Sequence, residues 1–584
     1  MCGIIAIAGN KSLKDSQING MLSALSLRGP DDIGFERFPG GVIGQTRLSI
    51  VDLVSGHQPM RDNTNPYSIV FNGEIYGYRD LRVALEKRGH KFRTTSDTEV
   101  ILKSYAEYGR DCVKHLDGMF AFAIWDDTKK ELFTARDRFG KKPFYYAYID
   151  GEFFGASEMK AIFSTNLIKG KIDGSAICDY LRLGYIPPHK TIYKNIHTLL
   201  PAHAGIVREG KIETWRYWNL KKKTLKISRE EAKSEIKRLL DEAAGKRMVA
   251  DVEVGSFLSG GVDSTLATYY AKKHSQRPIK TFAVGYGDHI NELPFALEAS
   301  KKIGTEHYTL NSDIQNIADI KKVIAYFDEP HGDSSNLSQY LVSKLAASKV
   351  KVALSGDGAD EFFMGYGWYQ KYWHTPRSNL KRVFGNPFHS YKKATEIFSG
   401  SERRHLMKVT ACEEDAYEKE ILSGVKDPFD KINRCDFGIY LPGQLLTKID
   451  RAGMMNSLEV RSPFLDTALI EFVYSLPLEY KISKTENKIL LKEILSEIMP
   501  KEFVERRKQG FGAPVKEWLA SRSVKSELDK ILSDANHPLY THLKKDAVER
   551  IVEKSRRGDK QTVYKVWTIL CLALWLDLHK KYHE

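Results

Sequence analysis

The sequence contains little cysteine for its length of 584 residues. Six cysteines are spread along the chain without a Cys-x-x-Cys pair, so their spacing indicates neither a zinc-binding cluster nor a disulfide framework. We therefore expect a reducing, cytoplasmic environment. The six are Cys2, Cys112, Cys178, Cys412, Cys435 and Cys571.

Long apolar runs are also absent. No stretch approaches the roughly 18 to 20 apolar residues of a membrane-spanning helix, and the short apolar N-terminus lacks the basic flank of a signal peptide. The sequence therefore predicts a protein that has no membrane partner.

A large excess of one charge sign is missing as well. The chain has 89 Lys and Arg residues against 75 Asp and Glu residues, a formal net charge of +14. Basic runs are short, such as Lys221, Lys222 and Lys223, so we expect a solvated basic surface and no nucleic-acid partner.

At roughly 100 to 200 residues per domain, the length itself predicts several domains.

The first part of the chain shows short strands, tight turns and a few helices. Ser96 and Glu99 have the spacing of a capping box and precede apolar residues at helical spacing. This pattern predicts a strand-rich α+β domain, which we place at residues 1–211. Strands are predicted at residues 4–8, 68–72, 119–125 and 131–135.

The pattern changes in the second part. A long amphipathic helix is predicted from Ser228, and strands then alternate with helices. Apolar runs at 252–258, 281–284 and 350–354 are each followed by a glycine-bearing turn, which is typical of a parallel sheet with crossover helices. We therefore predict an α/β domain at residues 212–584 that ends in a mainly helical part.

Cys2 is the first residue that indicates chemistry. Removal of Met1 would leave one residue with both a thiol nucleophile and a free α-amine, whose unperturbed pKa of about 8 suits a base near neutrality. Such a residue can attack a carbonyl carbon without a separate histidine. An ordinary cysteine at the second position is the alternative.

Cys2-Gly3-Ile4-Ile5, at the start of a predicted strand, resembles the class II glutamine amidotransferases, whose N-terminal cysteine releases ammonia from the glutamine side chain. The resemblance implies that Arg47 pairs with the substrate carboxylate as a bidentate fork. Glu74 and Asp97 would receive the α-ammonium group. The implied glutamine-binding residues are Arg47, Leu48, Ser49, Ile50, Val51, Asn72, Gly73, Glu74 and Asp97.

Asn72 and Gly73 stand where a predicted strand meets a turn. The Asn72 side chain and the backbone N–H of Gly73 could point two donors at the oxyanion that forms when the thiolate attacks the amide. Asn-Gly is also the commonest hairpin-turn dipeptide, and Asp97 also suits a helix N-terminus, so structural alternatives exist for these residues.

A second motif, Ser259-Gly260-Gly261-Val262-Asp263-Ser264, follows a predicted buried strand and precedes a helical pattern. Glycine N–H groups, hydroxyls and a helix N-terminus together form an anion site whose natural ligand is phosphate. The loop lacks the lysine of a Walker A motif. It resembles the pyrophosphate loop of the ATP pyrophosphatases, which cleave ATP between its α and β phosphates and leave an adenylated carboxylate.

A third loop, Ser355-Gly356-Asp357-Gly358-Ala359-Asp360-Glu361, follows another apolar strand. In a parallel sheet both loops open at the same edge, so Asp263 and Asp360 are predicted to lie close together. Mg²⁺ usually takes one or two carboxylates plus phosphates, so these two aspartates are the predicted metal ligands. A polar turn with Asp360 as a helix N-cap is the alternative.

The two halves together resemble the glutamine-hydrolysing asparagine synthetases across nearly the whole chain. Further matches are Lys448-Ile449-Asp450-Arg451, the segment from Glu459 to Asp466, and Lys508-Gln509-Gly510-Phe511. The family implies an N-terminal-nucleophile glutaminase domain of antiparallel β-sheets with helices, followed by an α/β parallel-sheet ATP pyrophosphatase domain. The implied ATP-binding residues are Leu258, Ser259, Gly260, Gly261, Asp263, Ser264, Val284, Ser355 and Gly356.

Two catalytic assignments come from the same resemblance. Lys508 would stabilise the adenylate, because its charge would face developing phosphate charge. Asp357 would guide or deprotonate ammonia. Asp357 stands where some asparagine synthetases have glutamate, and Met364 stands where the family often has glycine, so the acceptor is open.

The expected reaction uses glutamine, ATP and Mg²⁺. Ammonia released at Cys2 would displace AMP from the adenylated side chain of L-aspartate, giving asparagine, glutamate, AMP and pyrophosphate. The first alternative is the same chemistry on another carboxylate, such as a sugar acid of a surface polysaccharide or a small metabolite. The second is a non-catalytic basic binding or regulatory protein. The resemblance is compatible with a homodimer.

Overall fold

The computed structural model describes residues 2–9, 13–286, 291–312, 316–373, 387–409, 416–506 and 513–583. Its strands are β1 (Gly3–Ala8), β2 (Asp32–Phe38), β3 (Gly41–Arg47), β4 (Met60–Arg61), β5 (Tyr67–Ile75), β6 (Gly118–Asp126), β7 (Glu131–Arg136), β8 (Tyr145–Ile149), β9 (Glu152–Ala156), β10 (His197–Thr198), β11 (His203–Arg208), β12 (Lys211–Arg216), β13 (Val254–Phe257), β14 (Lys280–Gly285), β15 (Glu306–Asn311), β16 (Val352–Leu354) and β17 (Glu459–Arg461).

The α-helices lie mainly in the second part of the chain. They are α1 (Asp15–Ala24), α2 (Tyr78–Glu86), α3 (Asp97–Tyr108), α4 (Cys112–His115), α5 (Met159–Phe163), α6 (Gly174–Leu183), α7 (Arg229–Arg247), α8 (Val262–Lys273), α9 (Leu293–Ile303), α10 (Ile317–Tyr326), α11 (Ser335–Ala347), α12 (Ala359–Phe362), α13 (Gly367–Trp373), α14 (Pro387–Thr395), α15 (Gly400–Leu406), α16 (Ala416–Ile421), α17 (Pro428–Cys435), α18 (Leu446–Met454), α19 (Thr467–Ser475), α20 (Ile489–Ser496), α21 (Lys501–Glu505), α22 (Val515–Ala520), α23 (Arg522–Ser533), α24 (Leu539–His542), α25 (Lys545–Arg556) and α26 (Val563–Leu578). A π-helix, Asp436–Leu445, joins α17 to α18.

Two six-stranded antiparallel sheets form the N-terminal part, as predicted. The first has the order β10-β8-β9-β1-β3-β2 and the second has the order β12-β11-β7-β6-β5-β4. Apolar side chains from both sheets pack into one buried cluster, so the sheets form a two-layer sandwich. This cluster contains Ile4, Ala6, Ala8, Ile43, Val70, Ala121, Ala123, Trp125, Leu132, Phe144, Phe153, Leu199 and Val207.

A five-stranded parallel sheet lies at the centre of the second part, again as predicted. Its order is β15-β14-β13-β16-β17, and every adjacent pair runs parallel. Because the strands are parallel, the loops that follow β13 and β16 emerge at the same edge of the sheet. These two loops are the serine- and aspartate-bearing motifs of the sequence.

The helix signals in the sequence had different outcomes. Ser228 and Glu231 form a complete capping box at the start of α7. The capping box expected at Ser96 is wrong in part, because Ser96 caps α3 through the N–H of Thr98 while Glu99 instead accepts from backbone N–H groups before the helix. Glu99 therefore stabilises the segment before the helix and does not complete the helix cap.

One cysteine departs from the expectation. Cys178 is disulfide-bonded, although the spacing of the cysteines in the sequence indicated no disulfide. A disulfide between cysteines that are far apart in the chain depends on folding and leaves no local pattern in the sequence. The free cysteines among the described residues are Cys2, Cys112, Cys435 and Cys571.

In the described part of the chain, no helix has the length and apolar character needed to cross a membrane.

Candidate active sites

Cys2 lies directly before β1 and is 6% exposed. Its backbone nitrogen donates to Oδ1 of Asn72 on β5 at 3.1 Å. Because Oδ1 makes this contact, Nδ2 of Asn72 points away from the Cys2 nitrogen. This buried Nδ2 has no hydrogen-bond partner among the described residues. An unpaired buried donor beside a thiol is suited to an oxyanion, because burial otherwise penalises such a group.

Gly73 lines the same pocket as Cys2. Its φ is +153°, and a Cβ atom at this position would lie only 2.0 Å from the carbonyl oxygen of Met119 on β6. Glycine is therefore required sterically, because β5 and β6 approach too closely here for a side chain. The Asn-Gly pair lies inside β5 and does not form a hairpin turn.

Arg47 ends β3 and is held by its own following turn. Its Nη2 donates to the carbonyl oxygens of Val51 at 3.1 Å and Asp52 at 2.6 Å. Leu48, Ile50 and Val51 line the pocket together with Arg47 and Cys2. Ser49 is not among the lining residues, and its N–H donates to Oδ2 of Asp31 at 2.8 Å.

Two carboxylate side chains, Glu74 and Asp97, also line this pocket. Asp97 is the first residue of α3, and its Oδ2 accepts from the N–H of Ile75 at 2.9 Å. Burial raises the pKa of Asp97 to about 6. Oε2 of Glu74 lies 3.0 Å from Nη2 of Arg461, and this contact favours the ionised form of the carboxyl group. Burial raises the pKa of Glu74 well above its usual range, although Arg461 opposes the rise.

The loop after β13 folds back on itself through hydroxyl groups. The hydroxyl oxygens of Ser259 and Ser264 lie 3.1 Å apart, and the N–H of Gly261 donates to Oγ of Ser259 at 3.4 Å. Gly260 has a φ of +75°, and a Cβ there would lie 2.6 Å from the backbone of Phe295. The loop ends at the N-terminus of α8, so its backbone and hydroxyl donors surround a position suited to phosphate.

The two loops at the sheet edge are in contact. A Cβ at Gly356 would lie 2.8 Å from Cβ of Asp263 and 2.9 Å from the nitrogen of Ser264. Only glycine allows this approach. Leu258 and Val284 are buried at the adjacent ends of β13 and β14.

Asp263 and Asp360 converge on a single cation, as the sequence predicted that they would lie together. Nζ of Lys488 lies 2.5 Å from Oδ2 of Asp263 and 2.5 Å from Oδ1 of Asp360. The ammonium group shows that both carboxylates can face one positively charged atom, which fits a Mg²⁺ site completed by phosphate oxygens. The described residues contain no group of three or more His, Cys, Asp or Glu side chains suited to a metal.

Lys488 is a residue that sequence reasoning missed. It precedes α20 with a φ of 52° and is only 4% exposed. No local pattern marks it, since its partners lie far away in the chain. Lys508, the lysine proposed from the sequence, falls outside the described residues together with Gln509, Gly510 and Phe511.

Asp357 lies in the third loop between Gly356, which is close to Asp263, and Asp360, which pairs with Lys488. It is half-buried, and desolvation raises the pKa of its carboxyl group. Its carbonyl oxygen accepts a hydrogen bond from the hydroxyl of Ser462. Met364, a few residues later, has a φ of 56° and a buried side chain. A non-glycine residue in this left-handed conformation costs of order 1 kcal/mol, so surrounding contacts must hold it.

The chain matches known protein families over most of its length. Residues 235–577 match the asparagine synthase family model, and residues 1–218 match a glutamine amidotransferase domain. The chain belongs to the asparagine synthase family. It is an amidotransferase ligase, which uses glutamine nitrogen to amidate a carboxylate.

Three relatives show the extent of the similarity. Glutamine-hydrolysing asparagine synthetase 1 of Bacillus subtilis (strain 168) is 30% identical, with 100% of this chain and 98% of the relative covered. Synthetase 3 of the same organism is 33% identical, with 91% of each chain covered. A putative synthetase 2 of Methanocaldococcus jannaschii is 38% identical over 63% of this chain and 76% of its own length.

A strand of the synthetase part completes the pocket of Cys2 in this family member. Glu459 on β17 lines the pocket of Cys2, and Arg461 donates to Glu459 at 2.7 Å and to Glu74 at 3.0 Å. The carbonyl oxygen of Arg461 also accepts from the N–H of Ser355, the first residue of the third loop, at 2.9 Å. Arg461 therefore contacts both sites.

A second buried link joins Cys2 to helix α18 of the synthetase. Nε of Arg28 donates to the carbonyl oxygen of Cys2 at 3.0 Å, while Nη1 and Nη2 donate to Asp450 at 2.7 Å and 3.0 Å. Lys448, on the same helix, lies 3.0 Å from Asp333, and its charge lowers the pKa of Asp357 in the third loop against the effect of burial. Removing one partner of a buried pair costs roughly 3–5 kcal/mol, so these contacts hold the two sites in fixed relation.

Glutamine hydrolysis is expected to depend on the ionisation of Asp97. Because burial raises the pKa of Asp97 to about 6, the carboxyl group becomes neutral as the pH falls through that value. A neutral group no longer attracts the α-ammonium of glutamine, so kcat/KM for glutamine should fall about tenfold per pH unit below pH 6. Glutamate release measured from pH 5 to 8 checks this limb.

Two variants control the pH experiment. Asp97→Asn should have low kcat/KM throughout and lack this limb. Asp80→Asn, at an exposed position on α2, should reproduce the unmodified profile. A limb that persists unchanged in Asp97→Asn would assign the titration to another group.

Proposed function

We propose that this chain is a glutamine-dependent asparagine synthetase whose acceptor is L-aspartate. The observation that carries the acceptor is the pair Asp333 and Lys448, in which Nζ lies 3.0 Å from Oδ2. One acidic and one basic side chain, side by side, match the α-ammonium and α-carboxylate groups of an amino acid. The names of the relatives support the same acceptor.

The Asp333–Lys448 pair is in electrostatic reach of Asp357. The charge of Lys448 opposes the rise that burial causes in the pKa of Asp357. Burial alone would also raise the pKa of Asp333, but Lys448 holds it well below its usual range. Asp333 is therefore anionic at neutral pH, and the pair can hold the charged end of aspartate near the third loop.

The first half-reaction takes place at Cys2. The thiol attacks the side-chain amide of glutamine, and the α-amine exposed by removal of Met1 takes up the thiol proton. That nitrogen is the atom held by Oδ1 of Asn72. Nδ2 of Asn72 and the N–H of Gly73 stabilise the oxyanion. The protonated α-amine returns the proton to the leaving nitrogen as the C–N bond breaks, so ammonia departs, and water then hydrolyses the thioester to release glutamate and the free thiol.

The second half-reaction takes place at the two contacting loops. The acceptor carboxylate attacks the α phosphorus of ATP, the bond to the bridging oxygen breaks, and pyrophosphate leaves. The Ser259–Ser264 loop binds phosphate oxygens, and Lys488 donates to them. Mg²⁺ held by Asp263 and Asp360 would supply charge neutralisation of the phosphates. Ammonia then forms the new C–N bond, loses a proton, and AMP leaves.

The test of the acceptor is product formation with glutamine, ATP and Mg²⁺ present. L-Aspartate should drive pyrophosphate release and yield asparagine in equal amount, measured by a coupled assay and by amino-acid analysis. L-Glutamate, one methylene longer, should give at most about a tenth of that rate, because the extra methylene displaces the reacting carboxylate. No asparagine from a preparation that hydrolyses glutamine would refute the aspartate assignment.

A further inference from the structure

Lys488 lies between Asp263 and Asp360, at the position that the proposed metal ion requires. Its Nζ is 2.5 Å from Oδ2 of Asp263 and 2.5 Å from Oδ1 of Asp360. Mg²⁺ binds oxygen at about 2.0–2.1 Å, so an ion held by the same two oxygen atoms would lie against the ammonium group. Two adjacent cations repel each other strongly, so the lysine must leave before the metal can bind.

The side chain of Lys488 packs against Gly365, which follows the third loop. The N–H of Gly365 donates to the carbonyl oxygen of Asp360 at 2.8 Å, and its carbonyl oxygen accepts from Nδ2 of Asn487 at 2.6 Å. A Cβ atom at position 365 would collide with both Oδ1 of Asp360 and Cε of Lys488. Glycine is therefore required here, because the carboxylate and the lysine stem both approach its backbone closely.

The backbone of Lys488 is held in an unfavourable conformation. Its φ of 52° lies in the left-handed region, which residues with a side chain seldom adopt. The side chain is buried, and a buried ammonium group is stable only beside anionic partners. The fold therefore places this lysine at the two carboxylates, and the contact differs from a chance pairing of surface charges.

The neighbouring loop offers the ammonium group a second set of partners. Asp263 is the second residue of α8 and follows the Ser259–Gly261 turn that we assign to phosphate. A lysine side chain has a flexible four-carbon stem, so Nζ can move from a carboxylate to a nearby phosphate oxygen while the backbone stays in place. Bound phosphates would thus draw Lys488 away from the carboxylates.

We propose that Lys488 blocks the metal site until a nucleoside triphosphate binds, so that Asp263 and Asp360 do not take up free Mg²⁺. In the ATP-free protein the lysine balances the charge of the two carboxylates. When ATP binds, Lys488 moves to the phosphates, and the carboxylates and phosphate oxygens together become available to the metal. This inference rests on the proposed assignment of Asp263 and Asp360 to Mg²⁺.

Mn²⁺ binding without nucleotide tests the block, with electron paramagnetic resonance used to measure the free ion. Lys488→Met removes the ammonium group and keeps a long apolar stem, so it should bind Mn²⁺ at least tenfold more tightly than the unmodified protein. Lys488→Arg keeps the positive charge and should bind Mn²⁺ as weakly as the unmodified protein. Lys492→Met, one turn later on α20, is the matched control and should also leave Mn²⁺ binding unchanged.

A double variant locates the bound ion. Adding Asp263→Asn to Lys488→Met should abolish the gain in Mn²⁺ affinity, because the metal then loses one of its carboxylates. A gain that persists in the double variant would place the ion elsewhere and contradict the proposal.

Thermal unfolding of the unmodified protein gives a test that does not require any variant to fold. Mn²⁺ alone should leave Tm unchanged, because Lys488 occupies the site. With α,β-methylene-ATP, which cannot be cleaved between the α and β phosphates, added Mn²⁺ should raise Tm above its value with the nucleotide alone. In Lys488→Met, Mn²⁺ should raise Tm without nucleotide.

The outcomes separate this inference from the proposed function. Equal Mn²⁺ affinity of folded Lys488→Met and the unmodified protein would overturn the block, as would a higher Tm of the unmodified protein with Mn²⁺ alone. Neither result depends on the acceptor, which is tested by asparagine formation from L-aspartate. Absence of asparagine together with the expected Mn²⁺ behaviour would refute the aspartate acceptor and leave the role of Lys488 intact.

Discussion

Cys2→Ala is expected to abolish amide synthesis from glutamine while ammonium salts still support it. The thiol of Cys2 is the proposed nucleophile, and its loss should lower glutamine-dependent synthesis by at least about 10³-fold. The contacting loops around Asp263 and Asp360 require only ammonia, so synthesis with ammonium chloride should remain within a few-fold of the unmodified protein. Amide formation with each nitrogen source measures the difference.

Two further variants make the Cys2 experiment specific. Cys112→Ala removes another buried free cysteine of the same domain and should retain glutamine use. An uncleaved residue placed before Cys2 should act like Cys2→Ala, because it converts the α-amine into an amide that cannot take up a proton. Full glutamine-dependent activity with either the extension or Cys2→Ala would refute the nucleophile assignment.

Asp263→Asn and Asp360→Asn should have the opposite effect. Each change removes one of the carboxylates that converge on Nζ of Lys488 and that we assign to Mg²⁺. ATP-dependent synthesis should fall by at least about 10²-fold with either nitrogen source, since the phosphate charge is no longer neutralised. Glutamate release at Cys2 should be largely spared. Pyrophosphate and glutamate release are measured in the same reaction.

The controls address folding and separability. Asp529→Asn changes a surface carboxylate that pairs with Arg556, and both activities should be unaffected. Exposed pairs of this kind contribute only about 0–1 kcal/mol to stability. Equal loss of pyrophosphate and glutamate release in a folded Asp360→Asn variant would show that the two sites do not work independently.

Much of the candidate site follows from short sequence patterns. Cys2 before a strand, and the loops at Ser259–Ser264 and Ser355–Glu361 between strand and helix, have the positions predicted for them. These features depend on hydrophobic periodicity and turn chemistry over a few residues, so they can be recognised without the fold. The capping prediction at Glu99 was wrong because a backbone segment outside the helix competes for its carboxylate.

The partners of the charged residues could not be predicted in this way. Lys488 reaches Asp263 across 225 positions, Arg461 reaches Glu74 across 387, and Arg28 reaches Asp450 across 422. Each lysine or arginine would pass for a surface residue when only its neighbours in the chain are considered. Burial, and for Arg461 the position of β17 at the pocket of Cys2, bring these pairs together.

The sequence by itself determined the fold classes of the two parts, and it predicted the nucleophile and the two loops at the edge of the parallel sheet. Only the tertiary structure decided which cation faces the paired aspartates, that β17 closes the pocket of Cys2, and that Arg28 joins Cys2 to Asp450. The physical reason is the separation in sequence between the residues that interact. Strands, turns and helix starts arise from interactions among neighbouring residues, whereas a buried ion pair or a cavity exists only after distant segments pack and exclude water.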